Sequence, residues 1–236
     1  LPISWLDSFY DGFFKLCQAE GILLLGGDTT SSPQDLVVNV CLLGEAVPSE
    51  LKLRSFARPK DLICVTGTLG DSGAGLRVLL ESLPKTQDAD VLVARHHHPR
   101  LYTQEAKWLA KSPYVHAMMD VSDGIDSDVR HILHASKVGA RIQVEQLPLS
   151  KELLRYGKEN HFDLHELALT GGEDYCLLFT LDSHAFPDVA QAYQQAFGTP
   201  FFVIGEITEK ADLEYKDHDK KIQFRRKGYD HFRSGI

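Results

Sequence analysis

Apolar positions recur at helical spacing near the start of the chain and then alternate between strand-like runs and further helices. Between residues 4 and 20, Trp5, Leu6, Phe9, Phe13, Leu16 and Cys17 share one helical stripe, with Ser4 placed to cap its start and Gly21 to stop it. ILLL (22–25) and LVVNVCLLG (36–44) have the branched, apolar content of strands. A polar, proline-containing stretch, AVPSELKLRSFARPKD (46–61), marks the place for a domain boundary. Beyond it the pattern predicts strands at 62–67, 115–122, 140–145, 175–181 and 201–208. Helices are predicted at 71–83, 100–110, 125–136 and 188–198. In the helix at 71–83, Thr68 and Asp71 stand like a capping box. Interleaving of this kind defines an α/β class, a layered sheet covered by helices.

Three of these elements end in a turn that carries acids. MMDVSDGIDSDVRHIL (118–133) holds Asp120, Asp123, Asp126 and Asp128 where a strand hands over to a helix. In an extended strand Asp120 and Ser122 share a face. Asp123 stands where an N-cap belongs, and Gly124 permits close approach of backbone to a ligand. Strand end, carboxylates and helix N-terminus together suit a Mg²⁺–phosphate pair, the cation on the oxygens and the anion on the free amides. Asp126 and Asp128 read as first-turn acids on a solvated face. Asp120 closes an apolar run, where an unpaired carboxylate is costly.

GILLLGGDTTSS (21–32) repeats the theme around Asp28, although a GGD turn by itself is a common tight turn. In LALTGGEDYCLLF (167–179), Glu173 is placed to hold a cationic or hydroxylated group. VTGTLGDSGAG (65–75) lacks both GK[ST] and GxGxxG and reads as a tight strand-to-helix connection. His96, His97 and His98 read as a polar loop before Pro99, since consecutive side chains diverge and no ligand stands at zinc spacing; a zinc hydrolase resting on them is the most distant reading. The segment 220–232 reads as an exposed edge strand, with Tyr229 and Phe232 able to close over a flat ring.

Composition narrows the classes. The chain has 236 residues, 43% of them hydrophobic and 25% charged, enough for a sizeable core in one large or two ordinary domains. No apolar run approaches the ~20 residues of a membrane span. Cys17, Cys41, Cys64 and Cys176 stand apart, which reads as reduced cysteines of a cytoplasmic protein. A net charge of −8 argues against nucleic acid as a partner, so an anionic ligand needs local devices: a metal, a helix N-terminus, or a few placed basic side chains.

The segments FYDGFFKLCQAEGILLLGGDTTSS, LRSFARPKDLICVTGTLGDSGAGL, MMDVSDGIDSDVRHIL, TGGEDYCLLF and GYDHF, in that order, resemble the thiamine-monophosphate kinase family. That family is part of the superfamily containing aminoimidazole ribonucleotide synthetase and selenophosphate synthetase. The resemblance implies a two-domain fold, mixed sheets covered by helices. Residues 1–48 fall in an amino-terminal ATP-binding and dimerisation domain, and 52–236 in a carboxy-terminal α/β domain. It implies that ATP is the co-substrate and that the γ-phosphoryl group passes in line to thiamine monophosphate, giving thiamine diphosphate. Several Mg²⁺ ions are the implied cofactors, and a monovalent cation is a further one it allows.

Position by position, the resemblance places Tyr10, Gly27, Asp28, Arg54 and Ser122 at ATP, and Asp28, Asp120 and Asp123 at Mg²⁺. Glu173 and Tyr229 fall at the thiamine phosphate, where an acid beside a cationic ring and an aromatic stacked on it make physical sense. A homodimer through the amino-terminal domain, with neither nucleic acid nor membrane as partner, is implied too. The chain opens at Leu1, after the position of the family's Asp-rich metal loop, so it is expected to be a truncated form whose activity alone is in doubt. Alternatives are an aminoimidazole ribonucleotide synthetase-like enzyme using the same ATP site and a non-catalytic truncated module.

Overall fold

The computed structural model describes residues 1–218 and 220–222. The chain divides into two compact units, Leu1–Ala46 and Val47–Ile236. The first holds helix α1 (Ile3–Glu20), which starts at Pro2 rather than on a Ser4 cap. Gly21 closes it in the left-handed conformation (φ 68°), its amide and that of Ile22 bonding to Gln18 and Cys17 carbonyls. Residues 22–46 form no regular element, so the strands expected at 22–25 and 36–44 are not formed. A strand exists only through ladder bonds to a neighbour, and the described residues of this unit offer none. Leu23 and Leu25 accordingly stand 81% and 82% exposed.

The second unit is built on seven strands: β1 (Asp61–Val65), β2 (Val115–Asp120), β3 (Gly139–Gln143), β4 (Leu177–Asp182), β5 (Phe202–Thr208), β6 (Leu213–Asp217) and β7 (Lys220–Ile222). They form one mixed sheet in the order β2-β4-β1-β5-β3-β6-β7, antiparallel throughout except for β3 against β6. The period of two sorts the central strands cleanly. Ile63, Val65 and Leu178 face the core beneath α5 (Ile125–Ser136), whose Ile125, Val129, Ile132 and Leu133 fill it. Cys64, Phe179 and Leu181 face the opposite core. There they meet Leu109 of α4 (Thr103–Lys111), Val189 and Tyr193 of α8 (Phe186–Phe197), and Phe201 from the loop before β5.

Along β2 the faces switch. Val115 lies in the second core and Ala117 in the first, because the register slips between Val115 and Met118. That irregularity turns His116 toward Asp61, whose carboxylate meets its Nδ1 at 2.9 Å in a buried pair.

A third cluster joins α2 (Asp71–Leu80), α3 (Gln87–His97) and α6 (Lys151–Glu159) through Ala74, Val78, Leu92, Leu153 and Tyr156. His96 and His97 thus close a helix rather than a polar loop, and His96 Nδ1 lies 2.9 Å from Ser72 Oγ. The polar hub of this cluster is Asp71, 3% exposed. It accepts from Thr68 Oγ1 (2.5 Å), Ser150 Oγ (2.5 Å) and Arg95 (2.7 Å). Thr68 therefore bonds the Asp71 side chain rather than completing a capping box, and the N-cap is Gly70. Replacing Asp71 by Ala strips three donors of their acceptor, though half-exposed Arg95 regains water. Urea unfolding should show a loss of about 2–4 kcal/mol; a loss near zero would mean the hub is not what joins these helices.

Candidate active site

The candidate site forms where β2 and β4 run past their ladder. Asp120 pairs with Leu177 at the end of the strands. Three further backbone bonds continue the seam: Val121 N–H to Cys176 O, Tyr175 N–H to Val121 O and Glu173 N–H to Ser122 O, each 2.8 Å. The turn 120–124 and the loop 171–175 are thus laced into one body. Short α7 (Leu164–Thr170) leads into that loop. The fit is tight. A Cβ on Gly172 (φ 62°) would sit 2.7 Å from the Ser122 carbonyl, and one on Gly124 (φ 93°) 2.8 Å from that of Leu169. Glu173 (φ 57°) and Tyr175 (φ 51°) also adopt left-handed backbone, a cost tolerated only where surrounding bonds impose it.

Within the turn, Gly124 and not Asp123 is the N-cap of α5. Asp128 does what was expected of a cap from inside the helix, its Oδ2 accepting the amides of Ser122 (3.0 Å) and Asp123 (3.1 Å). Asp126 and Asp128 are buried rather than solvated, because α5 lays that face on the sheet. Asp126 meets Arg130 at 2.8 Å and accepts the Tyr215 hydroxyl. Asp120 is exposed rather than interior, since the strand ends at it.

Burial, reinforced by the negative charges of Asp123 and Asp120, pushes Asp128 up to about 6 even though two amides pull it down. Its Oδ1 has no hydrogen-bond partner among the described residues. Asp123, Asp128 and His131, one turn along α5, bring ligand atoms within 4.8 Å of one another. A buried carboxylate oxygen without a donor, beside two more carboxylates, is the donor set of a hard divalent cation, and Mg²⁺ fits it.

Glu173 stands exposed beside this cluster, accepting the Tyr175 hydroxyl at 3.3 Å. Tyr175 is raised by burial first and then by the charges of Glu173, Asp120 and Asp123. Behind Glu173 a cleft of about 380 Å³ is lined by Thr66, Ser72, Arg95, Tyr102 and Phe202 among others. Asp174 faces it and is pushed up to about 7, chiefly by burial. Its oxygens accept the Gly70 amide (2.7 Å) and the Ser72 amide (3.3 Å) at the start of α2.

The second unit thus brings together Asp120, Ser122, Asp123 and Glu173. Arg54 sits in a short 3-10 turn whose carbonyl accepts from Ser136 Oγ (2.7 Å), at the far end of α5, about 12 Å along that helix from Asp128. Tyr10, on α1, and Gly27 and Asp28 belong to the first unit, where Asp28 Oδ1 accepts the Thr29 amide in an exposed turn. Tyr229 lies outside the described residues. Sequence reasoning missed His131, Asp128 and Asp174; only the first carried a signal, the i, i+3 spacing of Asp128 and His131.

Residues 58–218 match the family model described as AIR synthase related protein, C-terminal domain, which defines the class of the second unit. E. coli HypE, 21% identical with TM-score 0.58, shares the fold. Over nearly the whole chain the likeness is narrower. The chain is 38% identical to the thiamine-monophosphate kinase of Escherichia coli strain K12, covering 97% of this chain and 69% of that protein. It is 33% identical to that of Bacillus subtilis strain 168, covering 99% and 73%. A structure of AaThiL complexed with AMPPCP and TMP matches with TM-score 0.77 at 30% identity, over 98% of this chain and 70% of that one. The chain belongs to the thiamine-monophosphate kinase family.

Gly172→Ala should cost more than the ~1–2 kcal/mol of a left-handed alanine alone, because the methyl also meets the Ser122 carbonyl. Gly26→Ala, with nothing within 4 Å, should change stability by less than about 0.5 kcal/mol. Equal melting shifts for the two would show that the seam can open freely.

Proposed function

We infer that the chain performs the ATP-dependent phosphorylation of thiamine monophosphate to thiamine diphosphate, by in-line transfer of the γ-phosphoryl group. What carries the reading is the convergence of Asp120, Asp123 and the partnerless Asp128 oxygen with Glu173 on one laced body, in a chain of this family. Asp120 and Asp123 would hold Mg²⁺, and Asp28 is proposed as a Mg²⁺ ligand on its own unit. Bound there, Mg²⁺ supplies charge neutralisation to crowded phosphoryl oxygens, in a reaction whose catalysis is mostly positioning.

The chain's own residues do the rest. Ser122 touches ATP between the two aspartates, while Tyr10, Gly27, Asp28 and Arg54 complete the nucleotide's contacts. Glu173 sets its carboxylate against the cationic thiamine moiety and Tyr229 covers the ring. The amides of Ser122 and Asp123 donate to Asp128 and fix the turn that carries the Asp123 carboxylate. Several Mg²⁺ ions, a monovalent cation and a homodimer through the first unit complete the proposal. Exposed Trp5, Tyr10 and Phe14 on α1 support the dimer. A cytoplasmic setting without nucleic-acid or membrane partners belongs to the same proposal, and the net charge of −8 supports the exclusion of nucleic acid.

The decisive assay is turnover of thiamine monophosphate with ATP by the purified protein. Asp120→Asn should lower kcat by roughly 10²–10³-fold, the scale of losing a charge-stabilising group at the reacting centre. A wild-type protein that binds ATP·Mg²⁺ and leaves thiamine monophosphate untouched would move the substrate to another member of the superfamily.

A further inference from the structure

Asp174 lies next to Glu173 in the chain and has partners of its own. Its two carboxylate oxygens reach across 104 and 102 residues of sequence to the amides of Gly70 and Ser72. Those are the opening amides of α2, a ten-residue helix whose own N-cap, Gly70, offers no side chain. The helix is therefore capped in trans, by a residue of the loop that carries Glu173. A carboxylate suits this geometry as an amide cannot. Each oxygen of Asp accepts one N–H, whereas Asn would present an NH₂ to one of the two donors. The negative charge also meets the positive end of the helix.

The same loop is pinned on its other side. Glu173 and Tyr175 give their amides to Ser122 and Val121 of the acidic turn, so bonds from residue 174 face α2 while bonds from 173 and 175 face β2. Three of the four residues 172–175 are left-handed, a conformation that would relax if either side let go. Gly73 of α2 also approaches Gly171 so closely that a Cβ would stand 2.9 Å from its Cα.

We propose that Asp174 is a positioning residue: by tying the loop to the start of α2 it sets the direction of the Glu173 carboxylate relative to the acidic turn, and so governs affinity for the cationic, thiamine-bearing substrate. The inference rests on the reading of Glu173 as the substrate's carboxylate. Because Asp174 acts through Glu173, its effect falls on thiamine monophosphate and spares ATP. It also disappears once Glu173 no longer carries charge.

The experiment is a double-mutant cycle in the purified protein, with KM for each substrate and kcat measured separately. Asp174→Asn should raise KM for thiamine monophosphate by roughly ten- to a hundredfold, as expected when a binding group is displaced by about an ångström. KM for ATP should stay within about twofold. In a Glu173→Gln background the same substitution should add nothing further, the signature of two residues acting as a unit. If the two effects multiply, if KM for ATP rises as much as KM for thiamine monophosphate, or if Asp174→Asn changes neither, the proposal is wrong. Should Asp174→Asn fail to fold, Asp174→Ser, which keeps one acceptor oxygen, runs the same cycle with the same expectations. A wild-type protein inert toward thiamine monophosphate would instead overturn the functional reading, an outcome visible before any variant is made.

Discussion

Everything at the candidate site hangs on a backbone seam. Beyond Asp120 and Leu177 the strands β2 and β4 no longer form a regular ladder, yet amides and carbonyls of residues 121, 122, 173, 175 and 176 go on pairing. Such bonds contribute modestly to stability one by one, and leaving them unmade in a half-buried place costs more than making them gains. Their consequence is mechanical. A turn holding two metal-type carboxylates and a loop holding a substrate-type carboxylate cannot shift separately. The left-handed residues and the glycines without room for a methyl are the conformational cost of that close approach. Rigid β-strands behind both segments carry that precision back to the core, where Ile63, Val65 and Leu178 are wholly buried.

Much of this scaffold was legible because it obeys simple periods. Helix α5 runs from Ile125 to Ser136, as the spacing of Ile125, Val129, Ile132 and Leu133 requires, and α1, α8, β1, β2, β4 and β5 fall within a few residues of their apolar patterns. Helices α3, α6 and α7 escaped the periodic reading. The runs at 22–25 and 36–44 misled because propensity was present and a pairing partner was not. At the site, Asp120, Ser122 and Asp123 could be read from a strand, a turn and a helix start in direct succession. Asp128 and Asp174 could not. The meaning of Asp174 lies in amides about a hundred positions away, and that of Asp128 in which way α5 faces the sheet.

The buried aspartates finally separate structure from function by what surrounds them. Asp71, Asp126 and Asp128 are all within 3% of complete burial. Asp71 is met by a guanidinium and two hydroxyls, and Asp126 by Arg130 and the Tyr215 hydroxyl; each is neutralised from within the fold. Asp128 has two amides, one bare oxygen and two further carboxylates for neighbours. A fold selected for stability alone would not leave a buried anion in that state, since an unpaired charge in such a place is among the costlier defects a protein can carry. Beside the carboxylates stands His131, and the ligand atoms of Asp123, Asp128 and His131 lie within 4.8 Å of one another, a set that suits a cation. A divalent cation bound there would offset the burial, and with it the neighbouring negative charges, that hold Asp128 up near 6. The acidity that looks like a flaw in the free protein is thus the feature that suits the proposed hard cation and, through it, a phosphate.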